Sequence, residues 1–478
     1  MFRVRILVLF VISWIAYGKR ANVFFLLTDD QDVMLGGIER MKHLKSLIGE
    51  KGVTFENAFV HTPICCPSRS SFLTGRYLHN SKTFQNSVKE GCGNETWRDE
   101  PETRTYAVHA KKFGYRTSYS GKYLNTYAMP GSVESCNNLN DASCFTHIPP
   151  GWDDWFGLQG NSAYYNKSIS DNGVRVYKSD SENDYLPDVF FARTKSFLQN
   201  HLENHIDSPF LAVLATPSCH GPFTPAPKYI NKFSNLRAPR TPNYNHSNKD
   251  KNWLMRQLSP LDEDLEIEID TIHNNRLATL LSVDDYIEEI VNMLSEANEL
   301  ENTFFLYTSD HGFQLGQHRL AYDKRHLYEH DIRIPMMIRG PNVMKNVTLE
   351  SSIVLNIDVA PTLFDIMSEG SEDLPSDFDG MSFLDLITND ARRNQSWRND
   401  FLISYHGQGQ SSCGLYSCPR PEPFHENDAT NNTYKCVRTC SSSLFSILHA
   451  SFFTPETQKT HNRHDQQRGH DLLQVPGQ

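Results

Sequence analysis

Four stretches of this sequence place acid–base or charged groups just after short apolar runs, and a fifth supplies a nucleophile. Val23 to Thr28 runs into Asp29-Asp30, Tyr115 to Tyr119 into Gly121-Lys122, Phe210 to Thr216 into Cys219-His220, and Phe304 to Thr308 into Asp310-His311. Asp29, Asp30 and Asp310 would repel one another if gathered without a cation. With His311 they make a mainly oxygen ligand set, which suits one divalent ion of the Ca²⁺ type better than zinc. Lys122 adds a positive charge, and His220 a group that exchanges protons near neutrality. The fifth stretch is Pro63-Ile-Cys-Cys-Pro-Ser-Arg-Ser-Ser-Phe-Leu-Thr-Gly75. There Cys65 precedes a Pro-initiated helix, close to N–H groups that have no intrahelical partner, with Arg69 one turn on. That surrounding suits an anionic tetrahedral group. The same residues alone also fit a disulfide-forming Cys65-Cys66 pair beside a helix cap.

The elements that must position these groups can be read from periodicity. The apolar runs have strand length and end abruptly. Between them lie helical patterns, clearest at Arg276 to Leu300, where Leu280, Ile287, Val291 and Leu294 form a stripe at helical spacing. Strands alternating with helices predict an α/β domain with a large, mostly parallel sheet. Such sheets present ligand-binding residues at the carboxyl ends of their strands. A single strand-end aspartate is ordinarily a turn former or a helix cap; four strand ends of compatible chemistry predict one shared polar site. The run beginning Asp358-Val-Ala-Pro-Thr reads as a capped helix of structural role. Residues 408–440, rich in Cys, Pro, Ser and Asn, read as a surface or disulfide-pinned segment beyond a boundary near Asp390 to Asp400. Residues 441–478 are polar with little periodicity and are expected to be disordered.

The chain has 478 residues, 38% hydrophobic and 22% charged, which excludes collagen, coiled coil and wholesale disorder. Lys and Arg total 46 against 57 Asp and Glu, a net charge of −11, so no nucleic-acid partner is expected through general electrostatics. Arg3 and Arg5, an apolar core from Ile6 to Tyr17 and the small-x-small Ala16-Tyr17-Gly18 read as a signal peptide over residues 1–18. That core is too short to span a bilayer, so no stable membrane anchor is expected. N-x-[ST] sequons at Asn94, Asn166, Asn245, Asn346, Asn394 and Asn431 fit a secretory route as N-glycosylation candidates. So do ten cysteines, of which Cys136/Cys144, Cys413/Cys418 and Cys436/Cys440 are spaced to close short loops, with connectivity left open.

The Cys65 stretch resembles the sulfatase signature C-x-P-S-R followed by two residues, two apolar positions, Thr and Gly. The family pattern is matched again by Asp29-Asp30, Gly121-Lys122-Tyr123, His220 before Gly-Pro, Asp310-His311-Gly312, and Lys324 in Asp323-Lys-Arg. Within the family, the segments Gly121-Lys-Tyr-Leu-Asn, Ile148-Pro-Pro-Gly-Trp, Leu281-Ser-Val-Asp-Asp, Asp323-Lys-Arg-His-Leu-Tyr and Asn431-Asn-Thr-Tyr-Lys-Cys-Val-Arg-Thr resemble the N-acetylglucosamine-6-sulfatase branch. The extracellular heparan 6-O-endosulfatases come next, but the long basic insertion of those enzymes has no counterpart here. His311 stands where that branch usually carries Asn and other sulfatases carry His. The resemblance runs from about Ala21 to Thr439.

The resemblance implies an alkaline phosphatase/sulfatase-like fold: a mixed, mostly parallel sheet between helices, with a catalytic domain over 19–392 and a small, partial C-terminal subdomain over 393–440. It implies that Cys65 is oxidised to formylglycine by the formylglycine-generating enzyme during synthesis, and that one Ca²⁺ is held by Asp29, Asp30, Asp310 and His311 together with residue 65. Arg69, Lys122 and Lys324 would bind the sulfate oxygens and the hydrated aldehyde, and His220 would protonate the leaving oxygen. The substrate would be a 6-O-sulfated N-acetylglucosamine in a glycosaminoglycan oligosaccharide of the heparan or keratan sulfate type. The enzyme would reside in the lysosome or outside the cell. A phosphatase of the same superfamily, which uses Ser or Thr and two zinc ions, is disfavoured by Cys65. A non-catalytic glycan-binding protein is the alternative from another class.

Overall fold

The run Asn22–Thr28 (β1) is buried on both faces: Val23, Phe25 and Leu27 enter one apolar layer, Phe24 and Leu26 another. Successive strand residues point to opposite faces, so a strand of this composition needs helices on both sides of its sheet. The computed structural model of the chain, which describes residues 19–246, 256, 258–388, 397–407, 432–441 and 444–452, has that architecture. The remaining strands of the main sheet are β2 (Val53–Phe55), β3 (Arg116–Gly121), β4 (Asp154–Leu158), β5 (Lys167–Asp171), β6 (Val174–Lys178), β7 (Phe210–Ala215), β8 (Thr303–Ser309), β9 (Met336–Arg339) and β10 (Val347–Leu349). They form one ten-stranded sheet in the order β10-β2-β9-β8-β1-β7-β3-β4-β5-β6. From β8 to β4 all neighbours are parallel; β9 is antiparallel to β8 and β2, as β5 is to β4 and β6. The fold class read from the sequence is the one observed.

Five helices cover the sheet: α1 (Cys65–Thr74), α2 (Tyr106–Lys112), α3 (Leu186–Asn204), α4 (Glu263–Glu296) and α5 (Val359–Ser368). Phe72 of α1, Tyr106 and Ala110 of α2 and Leu363 of α5 pack in the layer of Val23. Phe190 and Leu198 of α3 and Leu280, Ile287 and Leu294 of α4 pack in the layer of Phe24. Helix α4 starts well before Arg276: the Asp262 carboxylate accepts the Leu265 N–H at 3.1 Å, and Glu263, Asp264 and Glu266 fill the first turn, where acidic groups oppose the helix dipole. Asp358 does not cap α5 with its side chain. Its carboxylate instead accepts the Leu355 and Met381 N–H groups and pairs with Arg398.

Three strands, β11 (Asp400–Tyr405), β12 (Tyr434–Ser441) and β13 (Leu444–Phe452), form a separate antiparallel sheet in that order. β13 corrects the expectation of disorder over residues 444–452, where Leu-Phe-Ser-Ile-Leu-His-Ala-Ser-Phe is an apolar run of strand length and β12 offers it an edge; residues 453–478 lie outside the described residues. Cys436, whose spacing to Cys440 left a short loop open as one pairing, is buried as a free thiol. Residues four apart on a strand stand roughly 13 Å apart, beyond disulfide reach. Cys136 does pair with Cys144, and a second bridge joins Cys66 to Cys92. Residues 1–18, Cys413, Cys418, Asn394 and Asn431 lie outside the described residues. Among the remaining sequons, Asn166 and Asn346 are exposed, and Asn94 caps a short helix by accepting the Trp97 N–H. Asn245 spends its amide on the main chain of Leu261. Among the described residues no helix is long and apolar enough to cross a membrane.

Candidate active site

β8, β1, β7 and β3 lie side by side, so the four polar strand ends read from the sequence converge at one sheet edge. β1 ends at Thr28, and Asp29 and Asp30 follow with the chain turning at Asp30 (φ 63°), a conformation aspartate tolerates. The turn after β7 continues that pairing: the Asp29 N–H donates to the Ser218 carbonyl and the Cys219 N–H to the Asp29 carbonyl, both at 2.8 Å. That fixes His220, five residues past the strand, next to Asp30. Lys122 follows β3 through Gly121 (φ 120°), where an added Cβ would lie 1.9 Å from the Ala215 carbonyl oxygen, so only glycine lets β3 lie this close to β7 here. Cys65 is the first residue of α1.

The side chains interlock. Lys122 Nζ lies 3.1 and 2.8 Å from the two carboxylate oxygens of Asp29, and Lys324 Nζ 2.9 and 2.8 Å from those of Asp30. The Asp30 N–H and the His311 N–H both donate to Asp310 Oδ1 at 3.0 Å. Arg69 Nε donates to Asp310 Oδ2 at 2.8 Å and its Nη1 to the Lys122 carbonyl at 2.7 Å, while Nη2 stands 3.5 Å from Asp29. The two histidines are oriented alike, each with Nδ1 against the carbonyl of the following glycine, at 2.7 Å for His220 and 2.9 Å for His311. Each therefore turns Nε2 to the cluster: His311 Nε2 is 3.3 Å from both Cys65 Sγ and Asp30 Oδ1, and His220 Nε2 is 3.8 Å from Asp30 Oδ2. Metal-ligating atoms of Asp29, Asp30, Cys65 and His220, and those of Asp29, Cys65, Asp310 and His311, lie within 4.8 Å of one another in each set.

Charge follows from this packing. Burial alone would raise the pKa of Asp29 and Asp30, but Lys122 and Arg69 around the first, and His220 and Lys324 around the second, hold both below the usual carboxylate range. Burial and the neighbouring Asp29 push Asp310 up to about 6. Repulsion among three buried carboxylates is therefore only partly relieved by the protein's own cations, and a bound divalent ion would complete the neutralisation. The donor set fits such an ion, and the oxygen majority favours a hard one. Burial opposes ionisation of Cys65, yet Lys122, Lys324 and His311 outweigh it and favour an anionic group at this position. His311, despite burial, is raised to about 9 by Asp310, Cys65 and Asp30. His220 (14% exposed) and Lys324 (6%) are less deeply sealed than the carboxylates, at 0–1%, and mark the mouth.

A family model described as Sulfatase matches residues 21–369. The chain belongs to the sulfatase family. An N-acetylglucosamine-6-sulfatase of Homo sapiens is 40% identical over 445 residues, covering 91% of this chain and 77% of that protein. An extracellular sulfatase SULF-1 homolog of Drosophila melanogaster is 38% identical over 400 residues, 83% of this chain and 34% of that one. Among solved structures, one in complex with D-glucosamine-2-N,6-O-disulfate as its substrate matches with TM-score 0.62 at 21% identity, covering 92% of each chain. A phosphonate monoester hydrolase of Agrobacterium radiobacter matches with TM-score 0.61 at 15% identity over 92% and 90% of the two chains, a likeness of fold.

All nine residues singled out in the sequence meet at this site of the sulfatase. Sequence reasoning missed Ser162, whose hydroxyl donates to Asp29, and Arg276, which donates to the Asp30 carbonyl at 2.8 Å. Ser162 comes soon after the end of β4, so the strand-end rule that found the others would have found it had the short β4 been recognised. Arg276 sits inside a helix and carried no local signal. Cys66, beside Cys65, has no free thiol because it is bridged to Cys92.

Proposed function

We propose that this sulfatase removes the 6-O-sulfate from N-acetylglucosamine residues of glycosaminoglycan oligosaccharides. The reading is carried by one observation above all: Cys65, at the start of α1, faces two lysines, two histidines and three carboxylates at one sheet edge. Identity of 40% over 91% of the chain to N-acetylglucosamine-6-sulfatase supports the sugar and the position. Residue 65 would be converted to formylglycine, whose hydrate supplies the attacking oxygen and a second hydroxyl through which sulfate can leave. Cys65 is 1% exposed, so the formylglycine-generating enzyme would have to act before the chain folds.

Asp29, Asp30, Asp310 and His311, with residue 65, would hold one Ca²⁺, which would draw charge from the sulfate oxygens. Lys122 and Lys324 add positive charge on the two sides of the nucleophile, where the ester's oxygens become more negative as its S–O bond breaks. Arg69 donates through Nε to Asp310 and through Nη1 to the Lys122 carbonyl, and its buried Nη2, which makes no hydrogen bond among the described residues, is free to bind a sulfate oxygen. His220, at the mouth with Nε2 turned inward, protonates the departing sugar oxygen, with Lys324 assisting. His311, whose Nε2 lies 3.3 Å from residue 65, would serve as a ligand that holds the ion beside the reacting group.

We take residues 19–392 as the catalytic domain and 393–440 as a small subdomain, whose strands β11 and β12 contact it through Phe401, Ser404 and Arg438. Two disulfides and a relative named as an extracellular sulfatase support a secretory route, and within it we propose the lysosome. The test is sulfate release from a disaccharide ending in N-acetylglucosamine 6-sulfate, by wild type and Cys65→Ala. Release should occur in the wild type and fall by at least about a thousandfold in the variant. Release from internal positions of heparan chains instead would replace the exo-acting reading with an endosulfatase. No release of either kind, with formylglycine present at residue 65 by mass spectrometry, would overturn the assigned substrate.

A further inference from the structure

Lys324 reaches Asp30 from a turn that the catalytic sheet does not itself support. The residues on either side of it, Asp323 (φ 138°) and Arg325 (φ 92°), both hold backbone conformations that side chains other than glycine adopt only when their surroundings force them. Released from its contacts, such a turn would relax and withdraw the Lys324 ammonium. Two contacts hold the stretch just after it. The His326 N–H donates to Asp331 Oδ2 at 2.6 Å. The Arg325 carbonyl accepts two hydrogen bonds from outside the catalytic domain: Asn432 Nδ2 and Tyr434 Oη, both at 3.2 Å, from the start of β12. Asn432 and Tyr434 are buried, at 2% and 1% exposure.

Their strand is anchored independently. Arg438 of β12 pairs with Glu329 and lies over the Phe59 ring at 4.4 Å. Phe401 of β11 stacks on Phe59 at 5.1 Å, and the Ser404 N–H donates to the His61 carbonyl at 2.8 Å. The C-terminal sheet is thus fixed to the catalytic domain before it touches the Lys324 turn, as a clamp requires.

We propose that Asn432 and Tyr434 are positioning residues, which from the C-terminal sheet hold the Arg325 carbonyl and so fix Lys324 against the reacting sulfate ester. The inference rests on the reading of Lys324 as a group that meets the ester. It makes the C-terminal sheet part of the catalytic apparatus and not only a cover.

The experiment is a double-mutant cycle on the full, formylglycine-containing chain: Tyr434→Phe and Asn432→Ala, each alone and each combined with Lys324→Met. Rates are read on 4-nitrophenyl sulfate and on the 6-sulfated disaccharide. Tyr434→Phe keeps the ring in place and loses only the donor. Each change should lower kcat about tenfold in the wild-type background and less than about twofold once Lys324 is Met, because a clamp with nothing to present has no catalytic effect. Equal losses in both backgrounds, or no loss in either, would overturn the proposal. Hydrolysis of the aryl ester but not of the sugar ester would defeat the glucosamine assignment and leave this cycle decisive. If neither ester is cleaved, the melting shift given by inorganic sulfate reads the same cycle: a shift reduced by Tyr434→Phe supports the clamp, and one equal to wild type, zero included, overturns it.

Discussion

Two histidines flank residue 65, and their surroundings divide the labour between them. His311 is fully buried against Cys65, Asp30 and Asp310, with Nε2 turned to the carboxylates it would join in holding an ion. His220 is partly open at the mouth of the site. If His220 protonates the leaving oxygen, its importance depends on how badly that oxygen needs a proton. A sugar alkoxide is a poor leaving group and a nitrophenolate a good one. His220→Ala should therefore lose about a hundredfold or more in kcat on the 6-sulfated disaccharide while losing little on 4-nitrophenyl sulfate. The comparison needs only the two rates for one variant. Equal losses on both esters would assign His220 to binding.

Among elements, the strand ends were the part of the site most legible in the sequence. β1, β7 and β8 each announce themselves as a largely apolar run that gives way to polar residues, because a parallel strand buried on both faces carries mostly apolar side chains; β3, which buries Thr117, Ser118 and Ser120, is marked mainly by the Gly121-Lys122 that ends it. Lys324 was legible only through the family pattern, since its turn follows no strand of the main sheet. The clamp on that turn could not be read at all: it joins Arg325 to Asn432 and Tyr434 across more than a hundred residues, and no local pattern encodes it. The Cys66–Cys92 bridge was equally hidden, although both cysteines were visible. It ties the start of α1 to the segment before α2 across a sequence separation of 26. Closing a loop of that length restricts the unfolded chain by about 3 kcal/mol. Replacing both cysteines by alanine should lower unfolding stability by about that amount in denaturant titrations. Loss of activity at concentrations well below the unfolding midpoint would show in addition that the bridge holds residue 65 in place.

At the scale of the whole molecule, residence in an acidic compartment would set buried titratable groups against one another. Asp310, raised by burial to about 6, takes up its proton in the folded state before the unfolded chain does as pH falls, and so adds stability on the acid side; burial raises Asp331 in the same direction. Buried histidines act in the opposite sense. Burial pushes both His61 and His326 down to about 3. His61 makes the reason explicit: Nδ1 lies 3.1 Å from Asn356 Oδ1 and donates to it, while Nε2 accepts the Leu78 N–H at 3.1 Å, so a proton on Nε2 would face another N–H. With a folded pKa of about 3 against 6.5 unfolded, the unfolded chain binds the extra proton first. Stability is then complete above pH 6.5 and is lost progressively as pH falls toward 3, amounting to about 2 kcal/mol at pH 5 for this one group. The wild-type profile sums all these terms, so a variant must isolate this one. His61→Gln keeps a donor and an acceptor but does not titrate. Urea unfolding of both proteins at pH 7 and pH 5 should show wild type's advantage over the variant shrinking by about 2 kcal/mol between the two. An advantage independent of pH would mean that water reaches His61 in the folded protein, and that the packing of α1 against Asn356 is looser than its geometry indicates.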